Sequence, residues 1–182
     1  NGTLWNRVYT LGALAWNQVW ATQPDVNNDT TPFVAGQGYL YRSPNAWVIR
    51  GNENEDPAQA YPGVFTGVPN NGTVNAATPY EFSAIGNPYP SPIDADILMT
   101  ENADIDYIYF WTNTHAPLDG SYDDVPNNWA YYNMSGGTAT DGGVEPNGTI
   151  QPGQGFVAKM VNNTNTVNFN NSQRISSNNH FF

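Results

Sequence analysis

The chain has 182 residues, of which 39% are hydrophobic, 14% aromatic and only 12% charged, enough for one compact core or two small ones. Sixteen acidic against five basic side chains give a formal net charge of −11, which repels phosphate and leaves no basic stripe, so nucleic acid and anionic membrane surfaces are excluded as partners. No run approaches the ~20 apolar residues of a spanning helix, so direct membrane insertion is not expected, and with no cysteine there is neither a disulfide framework nor a thiolate metal site.

Asn occurs 26 times beside 17 Gly and 14 Pro. These turn formers separate segments rich in Trp, Tyr, Phe, Val and Thr, which favour strands. The composition predicts an all-β fold, a β-sandwich (jelly-roll-like) of short antiparallel strands with one short helix. The chain opens on Asn1-Gly2-Thr3-Leu4-Trp5, without an initiator Met or an apolar leader, and ends on Phe181-Phe182. It reads as a single β-rich module, residues 1–182, cut from a longer chain.

In chain order, alternation of large apolar and polar residues predicts strands at Leu4 to Tyr9, Ala15 to Trp20, Tyr39 to Arg42, Trp47 to Arg50 and Tyr80 to Ile85. It predicts further strands at Tyr107 to Trp111, Trp129 to Asn133, Phe156 to Val161 and Thr166 to Phe169. Turn chemistry such as Pro69-Asn70-Asn71-Gly72, Ser135-Gly136-Gly137 and Pro146-Asn147-Gly148 lies between them. The helix is expected near residues 92–102, with Ser91 as its cap, Pro92 at the first helical position and Asp94 near the positive end of the dipole. It follows a stiff corner, Asn87-Pro88-Tyr89-Pro90.

Gly36-Gln37-Gly38-Tyr39-Leu40-Tyr41-Arg42 recurs as Gly153-Gln154-Gly155-Phe156-Val157-Ala158-Lys159. An aromatic strand pair precedes each string, which predicts an internal duplication with halves of approximately 1–78 and 79–182. The glycines let each strand start close against neighbouring backbone. No helix start or Lys-Ser/Thr follows, so neither string is a phosphate cradle.

These strings carry a family resemblance together with Phe65-Thr66-Gly67-Val68-Pro69-Asn70-Asn71-Gly72, Ile85-Gly86-Asn87-Pro88-Tyr89-Pro90-Ser91-Pro92-Ile93-Asp94-Ala95 and Phe169-Asn170-Asn171-Ser172-Gln173-Arg174. The chain resembles a β-rich module of very large secreted and cell-surface proteins of flavobacteria and other Bacteroidota, of the kind found ahead of a type IX secretion sorting domain. The resemblance implies an extracellular or cell-surface location and supplies no catalytic residues. Asp29-Thr30-Thr31 resembles the site at which such bacteria attach O-glycans, with Thr30 as the acceptor, although a plain polar turn before Pro32 is the favoured reading.

Catalysis finds little support. His115 and His180 stand outside any Ser or Asp motif, and no spacing shows that two of the Asp residues converge as a glycosidase requires. Clustered oxygen ligands at Asp119, Asp123 and Asp124, or near Asp104 and Asp106, suit a structural calcium ion, although exposed loop acids that keep the surface soluble are the more usual reading. Trp20, Trp47, Trp111, Trp129 and Tyr132 are the rings to consider for stacking on sugars, although strand-borne rings are more often core. The sequence therefore predicts a non-enzymatic structural or adhesive module of a bacterial surface protein. The alternative is a carbohydrate-binding module attached to a polysaccharide-degrading enzyme. Partners would be polysaccharide or neighbouring copies of the same protein paired through strand edges. A binding module should present exposed coplanar rings, whereas a spacer should bury its Trp.

Overall fold

The computed structural model describes residues 7–11, 20–22, 33–42, 67–112, 114, 128–162 and 165–176, the first three strands as backbone alone. In chain order the elements are β1 (Arg7–Leu11), β2 (Trp20–Thr22), β3 (Leu40–Arg42), β4 (Val74–Thr78), β5 (Phe82–Gly86), β6 (Ile93–Asp94), α1 (Ala95–Glu101), β7 (Ile105–Trp111), β8 (Trp129–Asn133), β9 (Gly136–Thr138), β10 (Thr149–Ile150), β11 (Gly155–Met160) and β12 (Asn165–Phe169), followed by a 3-10 turn at Asn171–Gln173. The fold is all-β and sandwich-like, with one short helix. A five-stranded antiparallel sheet runs in the order β5-β11-β7-β8-β9, β4 pairs with β12, β6 with β10, and β1 lies between β2 and β3.

Strand alternation sorts the side chains of the large sheet into two faces. Ile85, Ile108, Phe110, Tyr132, Phe156, Ala158 and Met160 point into one buried cluster. Ala76, Val167 and Phe169 reach it from β4 and β12, and Leu98 and Met99 from α1. Each large apolar side chain buried there stabilises the fold by roughly 1.5–3 kcal/mol relative to exposure.

Strand order and register recur along the chain. Leu40 of β3 lies opposite Tyr9 and Tyr41 opposite Val8, as Val157 of β11 lies opposite Tyr109 and Ala158 opposite Ile108. Trp20 pairs with Leu11 and Ala21 with Thr10, as Trp129 pairs with Trp111 and Ala130 with Phe110. The two Gly-Gln-Gly strings flank the same strand. Gln37 bridges Ile85 from one side, while Phe156 pairs with Ile85 from the other. A Cβ on Gly38 would stand 2.8 Å from backbone atoms of Ala84 and Ile85, so this approach requires glycine.

The helix starts later than its sequence suggests. Asp94 is the cap, its Oδ1 accepting from the amides of Asp96 and Ile97 at 2.9 and 3.1 Å. Ser91 instead accepts from Arg174 Nε at 2.8 Å, and Ile93 and Asp94 pair with β10, so strand pairing takes the residues that local propensity assigns to the first turn. The proline corner is tied down by Asn87, whose Nδ2 donates to the carbonyls of Ser91, Ile150 and Gln151 at 2.9 to 3.1 Å.

Other predicted elements shift or are new. β1 carries the predicted strand on to Leu11 and β2 carries its predicted strand on to Thr22, while Leu4 to Asn6 and Ala15 to Val19 of those predictions lie outside the described residues. β4 reads Val-Asn-Ala-Ala-Thr, too poor in β-formers to register from sequence, and its small residues are selected by tight packing on β12. The predicted strand Trp47 to Arg50 lies outside the described residues.

Candidate functional site

The solvent-facing side of the large sheet carries rings where antiparallel sheets usually carry polar side chains. β7 places Tyr107, Tyr109 and Trp111 there, β8 adds Trp129 and Tyr131, and β5 adds Phe82, all half-buried or exposed. Register forces them together, since Tyr109 lies opposite Tyr131 and Trp111 opposite Trp129. Tyr109 is 6.1 Å from both Tyr131 and Phe82 between ring centres, and Tyr107 is 5.6 Å from Tyr131. Trp111 and Trp129 meet edge to face at 5.1 Å, and Trp111 remains 42% exposed. Burial among these rings pushes the Tyr109 hydroxyl pKa up.

Lys159 crosses the same face. Its ammonium binds Asp106 Oδ2 at 3.0 Å and sits 5.5 Å from the centre of the Tyr107 ring. The hydrogen bond to Asp106 holds the Lys159 pKa above the ordinary lysine range. So paired, Lys159 and Asp106 add no net charge to the aromatic face.

A cavity of about 450 Å³ lies at the β5 end of the face. Gly86, Gly153 and Gly155 contribute its backbone lining, and Phe33 and Tyr39 its aromatic wall. The two rings meet edge to face at 4.8 Å. Tyr39 is held in place by its hydroxyl, which accepts from the Val34 amide at 2.9 Å and donates to Gln37 Oε1 at 3.3 Å. β11 pairs with β7 as far as Val157 opposite Tyr109, and Gly155, two residues before Val157 on the same strand and opposite Gly86, borders the cavity.

Of the rings proposed for sugar stacking, Trp111 and Trp129 lie on this face. Tyr132 does not: it is 7% exposed, points into the core and donates to Asp96 Oδ1 at 2.9 Å, because β8 turns alternate residues inward. Trp20 lies in β2, where the backbone alone is described, and Trp47 lies outside the described residues, as do Asp119, Asp123, Asp124, Thr30, His115 and His180. Among the described residues no group of three acidic or histidine side chains could hold a metal ion. Asp106 is bound to Lys159, and Asp104 accepts from Asn162 at 2.7 Å. Sequence reasoning missed Tyr107, Tyr109, Tyr131, Phe82, Phe33 and Tyr39. The signal for the tyrosines was present as Tyr-x-Tyr-x-Trp in β7 beside Trp-x-Tyr in β8, two ladders of rings on one face.

The chain matches the family model of a domain of unknown function, DUF8693, over residues 2–182, and it belongs to that family. No curated protein and no solved structure matches it.

Proposed function

We propose that this DUF8693 chain is a non-enzymatic adhesive module that holds neutral polysaccharide against the aromatic outer face of its five-stranded sheet. The observation that carries this reading is Trp111, 42% exposed in a strand of the central sheet and paired with Trp129. Rings at this position cost solvation unless something covers them, and the apolar face of a pyranose is a natural cover, with its hydroxyls left to the polar rim. The pairing of Lys159 with Asp106 and the net charge of −11 both disfavour anionic ligands. An extracellular place in a large bacterial surface protein accords with the resemblance of the motifs and belongs to the same proposal.

Four carboxylates of the kind a hydrolase uses have structural partners. Asp94 caps α1, Asp96 receives Tyr132, Asp104 receives Asn162 and Asp106 holds Lys159. This favours binding over turnover.

A second reading, a stiff spacer, draws on ring geometry. The planes of Tyr107, Tyr109 and Tyr131 are inclined by 35 to 75° to one another, so they pack as a small surface core and do not form one flat platform. Affinity-gel retardation on soluble neutral polysaccharides separates the two readings. The adhesive module is retarded and Trp111→Ala releases it; the spacer migrates unretarded on every gel.

A further inference from the structure

We infer that the cavity at the β5 end of the aromatic face is a subsite for neutral sugar residues, and that Gly155 is the position that keeps it open. This rests on the polysaccharide reading above and adds where along the face the chain is gripped.

The glycines lining the cavity differ in why they are glycine. Gly36 and Gly153 have φ of +81° and +71°, where side chains are strained. A Cβ on Gly38 would collide with β5 backbone at 2.8 Å, and one on Gly86 would crowd the Gln154 carbonyl at 3.3 Å. Gly155 has neither constraint. Its φ is not positive, and among the described residues the nearest atom to an added Cβ is the Ile85 carbonyl oxygen at 3.9 Å, an ordinary contact. Glycine inside a strand costs roughly 0.5–1 kcal/mol relative to Ala, and here the fold gains nothing in return. A side chain at Gly155, which is exposed and lines the cavity, would instead take up part of the cavity.

The lining sets the ligand class. Among the described residues no charged side chain borders the cavity. Tyr39 and Phe33 supply aromatic walls, and the Gln37 side chain keeps its Nε2 without a hydrogen-bond partner among the described residues while its Oε1 is fixed by Tyr39. Rings for C–H faces, an amide donor for a hydroxyl and a volume of about 450 Å³ fit an uncharged pyranose and its glycosidic neighbours. An extended apolar peptide would need free strand edges, but the edge of β5 beside the cavity is already occupied by Gly36 to Gly38.

The test uses the whole chain on affinity gels containing a soluble glucan, xylan or galactomannan, with a polyuronate gel as the anionic arm. The wild-type chain should be retarded by at least one neutral polymer. Gly155→Val should weaken that retention by about tenfold or more with an unchanged melting temperature, and Gly155→Ala should have a smaller effect in the same direction. Retention that is lost in Trp111→Ala yet kept in both Gly155 variants overturns the subsite while leaving the aromatic-face reading intact. Retention on polyuronate alone overturns the neutral ligand class, and failure of the wild-type chain to bind any polymer overturns both.

Discussion

The guanidinium of Arg174 lies 5.3 Å from the centre of the Tyr89 ring, and this stack fastens three separate segments. Arg174 Nε donates to Ser91 Oγ, Arg174 Nη1 to Asn71 Oδ1 at 3.2 Å, and the buried Tyr89 hydroxyl donates to the Gly72 carbonyl at 2.6 Å. The turn before β4, the proline corner and the strand-like residues after the 3-10 turn are thereby one unit. Arg174→Ala should cost about 2 kcal/mol in denaturant unfolding, and Arg174→Lys should recover less than half, because an ammonium keeps the charge without the planar fork.

Glu101 ties α1 to the 3-10 turn, accepting from Ser172 Oγ and Gln173 Nε2, both at 2.7 Å, and from Asn170 Nδ2 at 3.4 Å. The hydrogen bond from Ser172, with those from Gln173 and Asn170, holds its pKa below the ordinary glutamate range against the opposing effect of desolvation. A depressed acid pKa gives stability that is present above the unfolded-state pKa and is lost as pH falls through the folded one. Chemical denaturation from neutral to acid pH should therefore fall less steeply in Glu101→Gln than in the wild-type chain.

Burial first, and then the hydrogen bond to Asp96, push the Tyr132 pKa from 10.0 up to about 12. The sign is opposite to that of Glu101, since the folded state holds the proton more tightly than the unfolded chain. The stability this supplies is complete below pH 10.0 and is lost as pH rises towards about 12. Tyr132→Phe should be less stable at neutral pH by about 1 kcal/mol and should lose less of its stability across that alkaline interval.

Thr78 is fully buried at the end of β4, and its Oγ1 has no hydrogen-bond partner among the described residues. An unmade hydrogen bond to a buried hydroxyl costs roughly 1–3 kcal/mol, and valine has nearly the same shape. Thr78→Val should raise stability by about 1 kcal/mol, read as a higher midpoint at unchanged m-value.

The second glycines of the two strings, Gly38 and Gly155, look alike in sequence but carry different loads. Gly38→Ala forces Cβ into β5 backbone at 2.8 Å and should cost about 1–3 kcal/mol. Gly155→Ala meets only an ordinary contact, the Ile85 carbonyl oxygen at 3.9 Å, and should be neutral or stabilising by about 0.5–1 kcal/mol. Parallel thermal melts of the two variants test the contrast.

The fold class was legible in the sequence because turn formers punctuate ring-rich alternating segments, and β8 stands where its alternation placed it. Short strands made of small residues, such as β4, and two-residue pairs, such as β6 with β10, were not legible, since their pairing comes from long-range packing. The helix cap was misplaced because the competing partners of Ser91 and Ile93 lie more than fifty residues away. At the site, alternation alone turns Tyr132 inward and Tyr131 outward, and the shared face of β7 and β8 emerges only once Tyr109 is known to oppose Tyr131. The cavity could not have been read at all, because it joins the residues around Gly36 to those around Gly155 across β5.

Titration of the chain with soluble neutral polysaccharide, read by the fluorescence of its tryptophans, tests the central claim most directly. The adhesive reading predicts a saturable change that Trp111→Ala abolishes while the melting temperature stays within a few degrees of the wild-type value. A flat titration across glucan, xylan and galactomannan, or a saturable one that Trp111→Ala leaves unaltered, would contradict it.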